Sequence, residues 1–165
     1  MLTKKILSTA AILMLLACSP QFDWREVRGN DAPFRVLMPA KPANFSRDMQ
    51  LAGLTLNMQM TAGDAAGVNF VVGSVRLDDP DKAGVVAEAM KDGMLKNIQG
   101  QVTQAASSPD GIVEMQGKLP GGEVVTMAAR FIIRGPWVYQ VIAIGPAKKL
   151  KQDVIDTYMS SFKTD

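Results

Sequence analysis

The chain has 165 residues, 47% of them hydrophobic, and its 18 Lys and Arg against 16 Asp and Glu give a formal net charge of +2. It contains no histidine and one cysteine, which excludes an internal disulfide and catalysis by histidine paired with serine or cysteine. A net charge this close to zero provides no compositional argument for a nucleic-acid partner, and none is predicted.

Residues 1–17 have the pattern of an export signal. Two lysines precede an apolar run over residues 6–17, in which Ser8 and Thr9 are the only polar residues. A charged segment followed by a short apolar segment is typical of a secretory signal peptide. As a helix the run would rise only about 18 Å, less than the ~30 Å hydrocarbon core of a bilayer. We therefore expect residues 1–17 to be cleaved off rather than to span a membrane.

The only cysteine follows this run, in the sequence Leu15-Leu16-Ala17-Cys18. This stretch resembles the lipobox of bacterial lipoproteins. In that family the chain is cut before the cysteine, whose thiol is diacylated and whose new amino group is acylated, so the resemblance implies lipidation of Cys18. Three acyl chains would make attachment effectively permanent, since each buried CH₂ contributes about 0.8 kcal/mol. An ordinary secretory signal with an incidental cysteine is the alternative.

The residue after Cys18 bears on where the anchored protein resides. Ser19 stands where the inner-membrane retention signal of the lipoprotein family would place Asp, so the resemblance implies sorting to the periplasmic face of the outer membrane. Loss of Lys4 and Lys5 with the signal would lower Lys plus Arg from 18 to 16, equal to the 16 Asp and Glu. The mature protein is then neutral, with the membrane as its partner through the N-terminal lipid.

Strands dominate the first half of the mature chain. Leu54, Leu56, Met58 and Met60 alternate with polar residues and give the clearest period of two. A helix follows the acidic stretch DDPDK, which supplies helix-start residues, and is expected to end at Gly100. The predicted elements are strands over 34–39, 44–51, 54–62 and 68–77 and a helix over 82–99.

The second half shows the same order of elements. The turn signals SPDG and LPGG separate strands, and the run PWVYQVIAIG is a further strand. The final segment has an apolar stripe at helical spacing that includes Leu150, Ile155 and Phe162. The predicted elements are strands near 101–107, 111–118, 122–134 and 136–145 and a helix over 148–163.

Together these elements predict a lipidated lead-in over residues 18–31 and one α+β domain over residues 32–165. Its centre is an antiparallel sheet of about six to seven strands, flanked by two amphipathic helices. The stretches FRVLMPAKP, WVYQVIAIGP and YMSSFK resemble a group of exported bacterial proteins whose fold is similar to that of PsbP, the extrinsic photosystem subunit. This resemblance covers about residues 32–163 and implies a PsbP-like sandwich, but no functional residue of PsbP can be matched to this chain.

Candidate catalytic groups are few. Without histidine or a free thiol, serine paired with lysine is the arrangement left for nucleophilic catalysis. We interpret two of the candidate serines as turn residues and the other candidates as the polar end of a helix, so no catalytic residue and no enzyme activity are predicted. The candidates are Ser107, Ser108, Ser160, Ser161 and Lys163.

Two patterns raise the question of metal binding. The acidic stretch Asp78–Asp81 could ligate Ca²⁺ through oxygen atoms, but the EF-hand spacing is absent and helix capping explains the cluster. Met58 and Met60 share one strand face, to which Met38 could be adjacent, and these residues could hold Cu(I) through their thioethers. The same positions suit core packing, in which methionine is a flexible filler. We therefore predict no metal and no cofactor.

Aromatic and basic residues offer two further candidates. Trp24 and Trp137 could flank a ligand, although the position of Trp137 within a strand favours sheet packing. Lys148, Lys149 and Lys151 form a basic cluster before the last helix and could contact lipid phosphates. The alternative for the lysines is a solvated surface without a partner.

These observations predict a membrane-anchored periplasmic lipoprotein that acts as a non-enzymatic accessory or binding module for an unknown envelope protein. The alternative is a carrier or sensor of a small apolar ligand, held between the sheet and the helix over 82–99. A carrier needs a pocket with apolar walls beneath that helix, whereas solid packing there would exclude it. An enzyme that uses only Lys, Ser or carboxylate groups would need a cleft with converging titratable side chains.

Overall fold

The computed structural model describes residues 21–164, so the predicted signal peptide, the lipidation of Cys18 and the sorting role of Ser19 lie outside it. Within this range the chain forms ten strands and two α-helices. The strands are β1 (Arg25–Arg28), β2 (Phe34–Met38), β3 (Ala43–Leu51), β4 (Leu54–Ala65), β5 (Val68–Arg76), β6 (Gln101–Gln104), β7 (Val113–Lys118), β8 (Val124–Arg134), β9 (Trp137–Gly145) and β10 (Lys163–Thr164). The helices are α1 (Ala83–Asn97), which follows a 3-10 turn over Pro80–Lys82, and α2 (Gln152–Ser161).

Seven strands form one antiparallel sheet in the order β3-β4-β5-β9-β8-β7-β6. The chain lays down β3 to β5 as one meander and β6 to β9 as a second, with α1 between them. The two meanders meet where β5 pairs with β9 over residues 69–76. Short connections between consecutive strands favour antiparallel pairing, and the predicted α+β class with an antiparallel sheet is confirmed.

A second, smaller sheet has the order β1-β2-β10. Strand β2 lies in its centre and pairs with β1 through Val36 and Val27 and with β10 through Arg35 and Lys163. The sequence predicted no strand at residues 25–28. A strand forms there because pairing with β2 satisfies backbone groups that would otherwise lack partners.

The start of the described chain packs onto the domain. Phe22 and Trp24 stack with ring centroids 5.7 Å apart, and both meet Phe70 of β5 edge-on at 6.4 and 5.9 Å. The backbone amide of Asp23 donates a hydrogen bond to the carbonyl oxygen of Pro39 at 2.9 Å. Residues 22–24 are thus held against the core, which explains why Phe22 and Trp24 are apolar although they precede the first strand.

The two helices cover opposite faces of the seven-stranded sheet. Side chains alternate along β9, so Val138 packs with Met90 of α1, whereas Tyr139 packs with Tyr158 of α2 on the other face. The smaller sheet shares that second face, where Val36 of β2 joins the same core. Burial on both faces explains the long apolar run of β9.

Helix α1 begins as predicted but ends differently. The Asp79 side chain accepts a hydrogen bond from the Asp81 amide at 3.1 Å and so caps the 3-10 turn that leads into the helix. The predicted stop was Gly100, yet the residue with left-handed backbone is Gln99, with a φ of 46°. Gly100 is needed for close packing instead, because a Cβ there would lie 2.7 Å from the carbonyl oxygen of Gln116.

Helix α2 is shorter than predicted. It begins at Gln152 rather than at residue 148, and the amide of Lys149 bonds to the carbonyl oxygen of Pro146 in a turn before it. Lysines near a helix N-terminus oppose the helix dipole, which favours the later start. The apolar stripe is buried as predicted and consists of Leu150, Val154, Ile155, Tyr158 and Phe162.

Candidate functional site

A pocket of about 430 Å³ lies between the seven-stranded sheet and α1. Strands β3 and β4 and the facing side of α1 supply its walls, and β9 contributes one residue. The alternative prediction required space with apolar walls beneath the helix over 82–99, and the packing leaves a space there that both apolar and polar residues line. The apolar lining consists of Met49, Leu51, Ala52, Met58, Ala89, Met90 and Met94.

Four of these lining residues are methionines. Met49 and Leu51 share one face of β3 because side chains alternate along a strand, whereas Met90 and Met94 are one helical turn apart on α1. Met58 and Met90 are buried, with 1% and 2% of their surface exposed. Thioether side chains are unbranched and polarisable, so this lining can adapt to ligands of different shape.

Gln140 of β9 is the buried polar residue of this pocket. Only 3% of it is exposed, and its Nε2 lies 3.6 Å from the sulfur of Met58. Its Oε1 has no hydrogen-bond partner among residues 21–164. A buried acceptor without a partner costs about 1–3 kcal/mol. Sequence reasoning missed Gln140, whose one signal was a long polar side chain inside the apolar run WVYQVIAIG.

Charged side chains stand at the mouth of the pocket. Arg47 on β3 and Asp92 and Lys96 on α1 line its edge and are exposed. Their charged ends are therefore solvated, while their stems contact the lining. The buried part of the lining offers dispersion contacts and the amide of Gln140, whereas the amides of Gln50 and Asn97 are exposed like the charged groups.

A second concavity, of about 310 Å³, includes polar residues on the opposite face of β3 and β4. Thr61 donates to the side-chain oxygen of Asn44 at 2.8 Å, and Gln59 donates to Asp31 at 2.7 Å. The alternation predicted for β4 is thus present, with Gln59 and Thr61 on this face and Met58 on the other. These polar groups bond to one another, so the groove has a structural explanation.

The methionines considered as a Cu(I) group do not come together. Met58 packs with the α1 cluster, whereas Met38 of β2 belongs to the core on the other face of the sheet. Met60 is half-buried beside the α1 cluster. Met38 is thus not adjacent to Met58, because β2 pairs within the smaller sheet and not with β4.

The acidic stretch Asp78–Asp81 is exposed and has structural partners. Asp79 caps the 3-10 turn, and Asp78 lies 3.8 Å from Arg76 in an exposed ion pair. Across residues 21–164, no three His, Cys, Asp or Glu side chains are grouped so that they could hold a metal ion. Helix capping is therefore the role that the geometry gives to this stretch.

The serine and lysine candidates are dispersed or already bonded. Ser161 donates to the carbonyl oxygen of Tyr158 at 2.6 Å and accepts from the amide of Leu37 at 2.9 Å, so it ties α2 to β2. Ser107 and Ser108 are exposed in the loop after β6. The remaining candidates are exposed near the end of α2 and are Ser160 and Lys163.

The two tryptophans pack at different places in the core. Trp24 meets Phe70 edge-on, whereas Trp137 stacks on Tyr139 with ring centroids 6.3 Å apart. Neither tryptophan lines the pocket beneath α1. The three lysines considered for lipid contact are exposed in the segment before α2 and are Lys148, Lys149 and Lys151.

Arg130 of β8 joins the loop before β7 to the end of α2. Its Nε donates to the carbonyl oxygen of Asp110 at 2.7 Å, and its Nη1 donates to the carbonyl oxygen of Met159 at 2.8 Å. Burial lowers the pKa of Arg130, an effect that the charge of Asp110 opposes and that of Arg134 reinforces. An arginine that binds two backbone carbonyl oxygens has a structural role.

Comparison with known proteins assigns no family: no family model matches the chain, and no curated protein matches it. Within residues 21–164, no helix is both long and apolar enough to cross a membrane. The pocket beneath α1 and the lipobox sequence are therefore the observations from which a function can be proposed.

Proposed function

We propose that this protein is a lipid-anchored periplasmic lipoprotein and a non-enzymatic binding module, which holds a small apolar ligand in the pocket beneath α1. The observation that supports the ligand is the space of about 430 Å³ between α1 and the sheet, with its apolar lining. The lipobox sequence supports lipidation of Cys18, and Ser19 supports residence at the periplasmic face of the outer membrane.

The domain is, in this proposal, a PsbP-like sandwich. Its central antiparallel sheet has a helix on each face, which is the arrangement that the resemblance implies. This part of the proposal concerns the fold alone, because no functional residue of PsbP has a counterpart in this chain.

The lining favours binding by removal of apolar surface from water. Apolar burial contributes about 25 cal/mol per Å², so a ligand that buries on the order of 200 Å² gains roughly 5 kcal/mol before the cost of its lost motion. This magnitude suits a carrier or sensor that releases its ligand again. Methionine side chains repack easily, so ligands of several shapes can be accepted.

Two glycines on α1 allow a matched test of the pocket. Gly93 lines it, whereas Gly84 lies on the same helix outside it, and a Cβ at either position would meet no atom within 4 Å. Leucine should be accepted at both positions, since it favours a helix over glycine by roughly 0.5–1 kcal/mol. Only Gly93→Leu places its side chain where the ligand would bind.

The readout is the set of methionine methyl signals in the NMR spectrum of the purified full-length protein in detergent micelles. Para-xylene, at a free concentration fixed by equilibrium dialysis, should shift the signals of Met49 and Met90 and leave Met38 and Met159 unchanged. Gly93→Leu should weaken binding by about tenfold or more, and Gly84→Leu by less than about twofold. No binding by the parent protein, or equal binding by all three, would refute the pocket as the ligand site.

The anchor has a separate test. Cys18→Ser should release the protein from the membrane fraction, because the thiol that carries the lipid is gone. Ser19→Asp should keep the protein on membranes but move it from the outer to the inner membrane, whereas Ser19→Ala should leave it in place. Sedimentation of the Cys18→Ser protein with the membrane fraction would contradict lipid anchoring.

An accessory role toward an envelope protein is the second part of the proposal, and it is tested by crosslinking in intact cells. A binding module that serves an envelope complex should give one recurring crosslinked protein, whose yield falls with Cys18→Ser because the anchor brings the two together. A carrier that works alone should give none at comparable yield.

A further inference from the structure

We propose that the ligand of this pocket carries a hydroxyl or N–H group that donates a hydrogen bond to Oε1 of Gln140, while its apolar part contacts the methionines. This inference rests on the proposed function and specifies the chemical class of its ligand. That class is an apolar alcohol, phenol or amide, in contrast to a pure hydrocarbon.

The surroundings of Gln140 orient its amide. Nε2 lies 3.6 Å from the sulfur of Met58, and a thioether sulfur accepts hydrogen bonds weakly but cannot donate them. The NH₂ group therefore belongs beside the sulfur, and the carbonyl oxygen is left without a partner among the described residues. A carbonyl oxygen can only accept, so the group that complements it must be a donor.

The strand opposite leaves room for this side chain. Gly73 on β5 is the register partner of Gln140 on β9. A Cβ at Gly73 would lie 2.8 Å from both Cγ and Nε2 of Gln140, closer than any stable contact between such atoms. The absence of a side chain at Gly73 thus allows the amide to lie over the strand, between β5 and Met58.

A ligand reaches the amide by displacing part of the lining. Gln140 is 3% exposed, and the methionines around the pocket include the buried Met58 and Met90. A methionine side chain has three rotatable bonds and changes conformation at low cost, unlike a branched side chain. A donor group that enters beside these methionines can bond to Oε1 and remove the cost of an unbonded acceptor.

Three small ligands of similar shape separate the donor from the rest of the molecule. Para-cresol has a hydroxyl donor, 4-methylanisole keeps the oxygen without a donor, and para-xylene has no polar atom. After each affinity is corrected for the measured transfer of that ligand from water to octanol, para-cresol should bind the parent protein about three- to tenfold more tightly than 4-methylanisole. Binding is again measured from the methionine methyl NMR signals of the full-length protein in micelles.

Gln140→Met tests whether this residue is the source of the preference. It keeps the approximate length of the side chain but has no carbonyl, so the preference for para-cresol over 4-methylanisole should vanish. Gln116→Met, at an exposed position of β7, is the matched control and should keep the preference.

The outcomes separate this inference from the function on which it rests. The inference is overturned, and the pocket assignment stands, if para-xylene binds the parent protein but para-cresol binds no more tightly than 4-methylanisole. The same holds if the preference for para-cresol survives Gln140→Met. If none of the three ligands binds, the proposed function itself is overturned. The comparison of ligands on the parent protein needs no variant, so a failure of Gln140→Met to fold would still leave a decisive result.

Discussion

Gly73 and Gln140 face each other across β5 and β9, so closely that a Cβ on Gly73 would lie 2.8 Å from two atoms of the glutamine side chain. The glycine therefore determines where the amide can lie in the pocket beneath α1. The site depends on the register of this one strand pair as much as on the residues that line it.

Gly73→Ala should disturb the pocket without removing any lining group. The added methyl group overlaps Gln140, and overpacking of this kind costs about 1–3 kcal/mol. We expect the free energy of unfolding in urea to fall by that amount and the methyl signal of Met58 to shift. Gly63→Ala is the control, because a Cβ there meets nothing closer than 3.7 Å. Equal losses in both variants would contradict the role given to Gly73.

Tyr158→Phe should leave the protein as stable as the parent or more stable. The Tyr158 hydroxyl is buried and has no hydrogen-bond partner among the described residues. Burial of an unbonded hydroxyl costs about 1–3 kcal/mol, so its removal should raise the free energy of unfolding by roughly 1 kcal/mol. Tyr139→Phe is the contrasting variant. The Tyr139 hydroxyl donates to the carbonyl oxygen of Pro33 at 3.2 Å, so its removal should lower the free energy of unfolding. A marked loss of stability in Tyr158→Phe would show that its hydroxyl has a partner.

The Tyr158 hydroxyl also predicts how stability depends on alkaline pH. Burial raises the pKa of Tyr158 well above its ordinary value, so the folded state holds this proton more tightly than the unfolded chain. Unfolding then releases the proton above about pH 10, and stability falls as the pH rises from there toward the folded-state pKa. In urea titrations the fall above about pH 10 should be shallower for Tyr158→Phe than for the parent. Identical slopes in that range would contradict this linkage.

Arg130→Met should be clearly destabilising, in contrast to Arg134→Met. Arg130 donates to the carbonyl oxygens of Asp110 and Met159, and hydrogen bonds from a charged group contribute about 1.5–3 kcal/mol. Arg134 forms an exposed ion pair with Asp110 at 2.5 Å, which contributes at most about 1 kcal/mol. In thermal and urea unfolding, Arg130→Met should therefore lose more stability than Arg134→Met. Losses of equal size would contradict the structural role given to the two hydrogen bonds of Arg130.

The features that depend on neighbouring residues were predictable from the sequence. The alternation from Leu54 to Met60 predicted β4, and the apolar stripe from Val154 to Phe162 predicted the buried face of α2. Each of these patterns repeats within a few residues, so the burial of one side of an element is recorded locally.

The features that depend on the pairing of distant strands were not predictable. Met38 is separated from Met58 because β2 joins the smaller sheet, a choice that its own five residues do not reveal. Gln140 meets Gly73 only because β5 and β9 pair in one register. A shift by one residue would turn the amide to the other face, and nothing near Gln140 in the sequence fixes that register.

The packing of Phe22 and Trp24 against Phe70 limits the length of chain that can separate Cys18 from the domain. Ser19 and Pro20 are the residues between Cys18 and Gln21, and three steps of extended chain reach only about 10–11 Å. If Cys18 carries lipid, the linker between the lipid anchor and the folded domain is therefore very short. The protein then works within a domain's width of its own leaflet, and any ligand or partner must come to that surface to meet it.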